Sequence, residues 1–485
     1  MNSVWIEIFI IFLSYWTVLI VFKRRLESKN VSIFGPILLV RTRRGLRFLD
    51  LLAKYKKFWR TFGNLGILLV LVGMIYMVIL VLIMDYVMVV SPPKPSPVTS
   101  PRNVLLIPGL NEFIPFIWGL IGLIVTLIVH EFSHAILSRV EDVRVKSLGV
   151  VFALIPIGGF AEPDEKELLG KGRKSRMMIY SAGITANFLI ALLSFSIFFS
   201  LLGFLKPHVI VLKSFNGVFY EGDAILKLNG FDVEDARDVL NAVDDRVEVV
   251  VRRGNGEIVS FEIYKPEMGV YILNILNGTP AESVGMRGNS VIVSINEFET
   301  PNTEVFRDVM MRTKPNEVVR LKVLEGGEIK TYEVKLSEKD GHGFLGVLIG
   351  GDYFDGAVIG YSKNIIESLT NIPRGFHGLF YLTAMPFYFR SFDGITNYFT
   401  PRGIFEGLGE TIFYLLNTFY WIAWLNFYIG LFNCLPAIPL DGGRYLNDLL
   451  GYFMNERFAS AITKSLAFFV FLSIFMSILI PNMNL

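Results

Sequence analysis

The chain has one cysteine, Cys434, and five histidines among 485 residues. No intrachain disulfide can form, and no cluster of thiolates can hold a metal. A metal ion would have to be taken by histidine and carboxylate. Charge is scarce as well: Asp, Glu, Lys and Arg make up 19% of the residues, and the formal net charge is +2. No basic patch interleaved with aromatics stands outside the loops that flank the apolar runs, so nothing points to a nucleic-acid partner. Hydrophobic residues fill the space at 52%, with 14% aromatic and a mean hydropathy of +0.50. Such a chain is too apolar for an ordinary soluble protein. It reads as a polytopic α-helical membrane protein of about six spans, with room for a soluble insert.

Two of the histidines stand in His130-Glu131-Phe132-Ser133-His134, inside an apolar run from about Phe113 to Arg139. Four residues advance a helix by about 400°, so the two imidazoles fall on one face and converge. That is half of a zinc site. Glu131, one position along, can hold a water beside the metal and take its proton, the arrangement that yields hydroxide near neutral pH. As an accident of sequence, the same run would bury ionisable groups in hydrocarbon to no purpose. His208, His342 and His377 stand alone in their segments and read as packing residues.

In chain order, an apolar segment from Val4 to Phe22 closes with Lys23-Arg24-Arg25. It is long for a signal peptide and no small-residue cleavage site follows, so a retained first span is expected. From Lys23 to Arg60, twelve basic residues outnumber Glu27 and Asp50, which places this loop in the cytoplasm. A second span, about Leu65 to Val90, leads out to an extended linker carrying Pro92, Pro93, Pro95, Pro97 and Pro101. Residues 1–112 thus form an N-terminal region of two spans. The third span runs inward, and His130 lies about 13 Å before Arg139 at the helical rise. The metal would sit in the cytoplasmic half of the bilayer.

Residues 113–205 are expected to form the first half of a membrane core. After the motif helix, Ser147 to Glu162 is β-prone and broken at Pro156 and Gly158-Gly159, too short to span. A re-entrant hairpin beside the metal is one reading, its edge open to main-chain pairing with an extended substrate; a plain interfacial loop is the other. The fourth span, about Met177 to Leu205, contains Asn187, which is either helix-packing glue or part of the site. Residues 206–351 alternate like β-strands around Gly, Asn and Asp turns and form an α+β insert, placed outside by the parity of the spans. A faint internal repeat pairs Gly222-Asp223-Ala224-Ile225-Leu226 with Gly288-Asn289-Ser290-Val291-Ile292. Both copies look like PDZ modules, with Gly269 to Ile272 where a peptide-binding loop would lie in the second. Residues 352–410 read as an interfacial connector, including the short apolar Phe376 to Phe389. Residues 411–485 hold a fifth span, about Ile412 to Leu435, and a last one, about Ser465 to Ile480.

The fifth span ends in Asn433-Cys434-Leu435-Pro436-Ala437-Ile438-Pro439-Leu440-Asp441-Gly442-Gly443. The prolines stop the helix and the glycines allow tight turning. Asp441 is left at the depth of His130 and His134, and no glutamate downstream of the motif helix fits as well as a third ligand.

His130-Glu131-x-x-His134, the Ile155-Pro156-Ile157-Gly158-Gly159 loop, Ser181-Ala182-Gly183 with Asn187, and Asn433 through Gly442 together resemble, in order and topology, the motifs of the site-2 protease family of intramembrane metalloproteases. The likeness covers about Phe113 to Gly443. It implies one zinc ion per chain, Asp441 as the third ligand, Glu131 as general base, and Asn187 and Asn433 near the site. It also implies cleavage of a single-span membrane protein within the lipid bilayer, with extracytoplasmic PDZ modules screening what enters. The chain departs from the family pattern at Ile184, where proline would be usual. A prenyl-protein processing metalloprotease would share the helix motif but want a second downstream glutamate motif. A non-catalytic membrane scaffold bearing PDZ modules would have no use for Glu131.

Overall fold

The computed structural model describes residues 3–27, 30–43, 45–103, 106–372 and 375–482. They fall into two compact units. The first comprises Met1–Phe198, Leu379–Ser391 and Leu415–Leu485; the second comprises Phe199–Gly378 and Phe392–Tyr414.

The first unit is helical. Helix α1 (Ser3–Val21) opens the chain. Of the expected first span, the side chains before Ile10 lie outside the described residues. Among the described residues, five helices are long and apolar enough to cross a membrane: α2 (Lys56–Val90), α3 (Phe116–Val140), α4 (Arg173–Leu202), α6 (Thr411–Asn433) and α8 (Glu456–Asn482). Between α4 and α6 comes the shorter α5 (Phe376–Tyr388), and between α6 and α8 comes α7 (Asp441–Leu450). Helix α8 starts well before the expected Ser465, because the Asn455 side chain accepts a bond from the Phe458 N–H and caps it.

Small residues bring these helices together. A Cβ at Gly122 of α3 would lie 2.8 Å from the Trp421 carbonyl oxygen of α6, and one at Gly66 of α2 would lie 2.3 Å from the Thr185 hydroxyl of α4. Between apolar helices in lipid, where burial supplies little drive, such close approach is what association rests on.

The same unit carries a four-stranded antiparallel sheet in the order β1 (Val31–Phe34), β2 (Ile37–Thr42), β3 (Val145–Ala153), β4 (Ile155–Pro163). The expected hairpin is β3 and β4, but it is not alone. Val150 pairs with Val40 and Phe152 with Leu38, so β3 is an interior strand and the free edge beside it belongs to β4. On sequence, Lys23–Arg60 reads as a loop. Its twelve basic residues masked the apolar stretch Ile37–Val40, which completes the sheet.

The second unit is built on a 12-stranded sheet. Its main path uses β5 (Val209–Ser214), β6 (Ala224–Leu228), β7 (Arg246–Arg252), β8 (Ile258–Tyr264), β9 (Met268–Ile275), β10 (Ser290–Ile295), β11 (Val318–Glu325), β12 (Glu328–Lys335), β13 (Val347–Phe354) and β14 (Ala357–Tyr361). The order is β8-β7-β6-β5-β14-β13-β9-β10-β11-β12. Each half repeats one pattern, four strands and a helix (Ala236–Ala242, then Thr303–Arg312), over its own apolar core. The internal repeat is therefore structural. Two expectations need correction. Gly269–Ile272 is no open loop: β9 pairs with β13 on one side and β10 on the other. The insert also runs past Gly351, since β13 and β14 tie the two halves into one sheet and Phe399–Pro401 returns to pair with Leu205–Pro207. Glycines at 350, 351 and 360 break the alternation that would have revealed these strands.

Candidate active site

His130 and His134 lie one turn apart on α3, with ring centroids 4.7 Å apart. Their Nε2 atoms are 3.1 Å from each other, and they lie 3.1 and 2.9 Å from Oδ2 of Asp441. All three side chains are nearly buried. Tetrahedral zinc with bonds of about 2.0–2.2 Å holds its ligand atoms about 3.3 Å apart. These three atoms fit that edge length, and their types are those that zinc takes.

The imidazoles are oriented from behind. Nδ1 of His134 sits 2.7 Å from the Ile179 carbonyl, to which it can only donate, so its Nε2 is left with a lone pair facing Asp441. Nδ1 of His130 sits 3.1 Å from the Asn187 amide. Asn187 is fully buried, and its Oδ1 has no hydrogen-bond partner. Turning the amide over satisfies both groups: Oδ1 then accepts from Nδ1–H, and Nε2 of His130 becomes the free donor of electrons. The structure brings Asn187 beside His130.

Glycine makes this corner possible. A Cβ at Gly183 would lie 2.5 Å from Nε2 of His134 and 2.7 Å from Cε1 of His130. Gly183 stands four residues before Asn187 on α4, on the same face. In the sequence Gly183 stands in the Ser181-Ala182-Gly183 run with nothing but its spacing from Asn187 to signal this role.

Asp441 opens α7, with Leu440 as N-cap. Gly442 and Gly443 were expected to permit a tight turn, yet both are helical. A Cβ on Gly442 would lie 2.5 Å from the Leu435 carbonyl oxygen, and one on Gly443 would lie 2.5 Å from the Ala437 carbonyl carbon. Their service is to let α7 press against the end of α6. Further along α7, Tyr445 donates to the Ile67 carbonyl at 2.9 Å, and buried Asp448 takes a two-pronged bond from Arg176 of α4. The aspartate is thus held from α2, α4 and α6 together. Asn433 does not reach the three ligand atoms with its side chain, which bonds back to the Ile429 carbonyl at 3.0 Å. Its backbone oxygen is what packs against Gly442.

Glu131 points to the sheet. The Ala161 N–H of β4 donates to its Oε2 at 2.7 Å. A Cβ on Gly159 would lie 2.8 Å from its Cγ, whereas Gly158 has ordinary room. A cavity of about 500 Å³ opens beside Glu131 between α3 and the sheet, walled by Ile128, Phe132, Leu148, Phe152, Phe160 and, from the N-terminal strand, Val40. Its lining is almost wholly apolar. The arrangement can place a carboxylate, a metal and an extended apolar chain within reach of one another. His208 is buried in the second unit, His342 is half-buried and His377 is exposed; none joins the cluster.

The Peptidase family M50 model matches residues 118–478. An uncharacterized protein of Methanocaldococcus jannaschii is 25% identical over 449 residues, which is 92% of this chain and 87% of that protein. A zinc metalloprotease of the same organism is 42% identical over 57 residues, 11% of this chain and 17% of the relative. Among solved structures, the PDZ domain of an SdrC-like protein from Listeria innocua aligns at 23% identity and a TM-score of 0.16, covering 18% of this chain and 97% of that domain. With most of its length matched, from the start of α3 nearly to the end of α8, the chain belongs to peptidase family M50, the site-2 protease family of intramembrane zinc metalloproteases.

Proposed function

We propose that this multi-pass membrane protein cuts a single-span membrane protein inside the bilayer, with zinc held by His130, His134 and Asp441 and with Glu131 as general base. The observation that carries the reading is the convergence of three ligand atoms within 3.1 Å, one residue from a carboxylate bonded to an open strand edge. When bound, zinc supplies Lewis acidity, which polarises the scissile carbonyl and brings a water molecule's pKa near neutrality. The protein's own residues do the rest. Glu131 would accept the proton of a water held beside it, and the Ala161 N–H donates to its Oε2 and steadies the carboxylate in place. Ile179 and Asn187 fix the two imidazoles so that each Nε2 faces Oδ2 of Asp441, where the three residues would hold zinc.

A substrate helix must unwind before its carbonyls can react, because each is taken by an amide four residues on. Strand β4, carrying Gly158 and Gly159, offers main-chain partners to the unwound stretch. The sheet then acts as a re-entrant element in the membrane, covered on one face by α3. Six spans are proposed, α1 counting as the first. The loop and the metal are proposed to lie on the cytoplasmic side and the insert outside, a reading supported by the excess of Lys and Arg between Lys23 and Arg60. The insert's two PDZ-like halves are proposed to screen substrates, making no bond with the reacting carbonyl.

Purified protein in liposomes, given a single-span substrate, tests the reading. Cleavage within the apolar segment, lost in Glu131→Gln with zinc retained, is the expected result. Cleavage only outside that segment, or undiminished cutting by the variant, defeats it. Deleting the insert should let substrates with large uncut outer domains be cut; failure to cut even a trimmed substrate, with zinc retained, would defeat the screening role.

A further inference from the structure

A second cavity, of about 530 Å³, lies where the start of α4, the middle of α7 and the start of α8 meet. It plays no part in the chemistry above, and it is lined by three arginines: Arg173, Arg176 and Arg444. Two carboxylates share it, Asp448 and Glu456. They are unequally committed. Arg176 and Asp448 form a buried two-pronged pair and are consumed by each other. Arg173 reaches Glu456 at 3.5 Å, and Glu456 is 87% exposed. A surface pair of that kind is worth little and is readily exchanged. Arg444 makes no ion pair among the described residues. One guanidinium is therefore free, a second is loosely held, and the cavity carries a net charge of +1 by the count of its own side chains.

Its other walls are suited to an anion with a greasy end. Tyr180, Asn447 and Ser460 supply neutral polar groups, and Leu169 and Ile438 supply apolar ones. Gly451 leaves room for Arg173, since a Cβ there would lie 2.6 Å from its Nε. At the turn between α7 and α8, Tyr452 is 56% exposed and Phe453 79%, and in the first turn of α8 Phe458 is 65% exposed. Aromatic side chains left bare beside membrane helices mark the depth of lipid headgroups. Arginine forks match phosphate oxygens, and basic pockets between membrane helices take phosphorylated headgroups.

We infer that this cavity binds a phosphate anion between Arg173 and Arg444, carried by the headgroup of an anionic phospholipid. Arg444 and Asn447 lie one and two turns beyond Asp441 on α7, so a bound phosphate ties that helix to α4 and α8. The inference stands independently of the ligand and base assignments.

The test uses the full chain in detergent, with bound lipid read by native mass spectrometry. Phosphatidylglycerol should be retained and phosphatidylcholine should not, and Arg173→Gln with Arg444→Gln should weaken retention about tenfold or more. Ser460→Phe, which narrows the cavity without touching charge, should do the same and guards against a misfolded double variant. Lys174→Gln, exposed on α4 and outside the cavity, should bind as the parent does. If millimolar inorganic phosphate alone displaces the lipid and raises the melting temperature of the parent but not of the double variant, the anion site stands and its source is aqueous. Equal lipid retention by the parent and both cavity variants overturns the inference, as does an equal loss in Lys174→Gln.

Discussion

The two units treat buried polar groups in opposite ways. In the helical unit the largest group is gathered: His130, His134, Asp441, Glu131 and Asn187 meet at one corner, and Arg176 with Asp448 clamps the helix that brings the aspartate there, while Glu141, bonded to Arg60 and Ser175, is buried apart from it. In the β unit they are dispersed, each closing a local seam. Asp223 takes a bond from Arg253, Asp352 accepts from the Thr303 N–H, and His208 is fastened to Ser362 and Thr400. A soluble domain can bury a polar group wherever one partner is at hand. A membrane unit bears the cost of every ionisable side chain against hydrocarbon, so those it keeps are either gathered where chemistry repays them or bonded to a partner, as Glu141 is to Arg60 and Asp85 to Ser473. Damage at the gathered corner should therefore spread through the whole site, whereas damage at a seam should stay local.

The largest effect is expected at Glu131. Glu131→Gln should lower proteolysis by about a hundredfold to ten-thousandfold or more while zinc content stays near one per chain, because base and metal are separate contributions. Substrate turnover and elemental analysis on the same preparation check both halves. Next comes the ligand set: His130→Ala or Asp441→Asn should each strip zinc, since neither leaves three ligands. Full occupancy in both variants would remove the assignment. Behind the ligands, Gly183→Ala drives a methyl group into both imidazoles, and Asn187→Ala frees the His130 ring to turn. Each should weaken zinc binding by about tenfold to a hundredfold, read by competition with a chelator. Were Asn187→Ala to bind zinc like the parent, Asn187 would be a packing residue and the gathered corner one member smaller.

Legibility followed the same division. The three side chains that the structure brings together could be picked out in the sequence because they are written in rare letters: with five histidines in the chain, two at helical spacing are informative, and the Asp441-Gly442-Gly443 run after the prolines offers a carboxylate at matching depth. What stayed hidden was packing. Gly183, Gly442 and Gly443 look like flexible joints until the atoms their missing side chains would strike are known. Strands β1 and β2 were invisible because a charged neighbourhood obscured one short apolar run and because pairing with β3 joins residues more than a hundred positions apart. In the insert, alternation announced strands but not their order, so the seam at β13 and β14 and the interior place of β9 could not be foreseen.

The smallest effect is set at a seam and is visible only in acid. His208 is buried; burial, with Arg252 and Lys206 nearby, pushes its imidazole down to about 3 from an ordinary value near 6.5. Asp232 opposes this weakly. The folded chain therefore keeps His208 neutral where an unfolded chain would take up a proton. Unfolded protein binds more protons between about pH 6.5 and 3, so stability falls as pH drops through that window and is unaffected by His208 above it. The full loss is on the order of a few kcal/mol, an upper bound for a group this buried. His208→Gln removes the titration, so the melting transition of the β-sheet in the full chain, followed by its infrared amide band, should lose much of its acid slope. It should change little in zinc content or in proteolysis at neutral pH. An unchanged acid slope would place the sensitivity elsewhere; a loss of zinc would show that a seam in the β unit communicates with the gathered corner, and the contrast between the two units would fail.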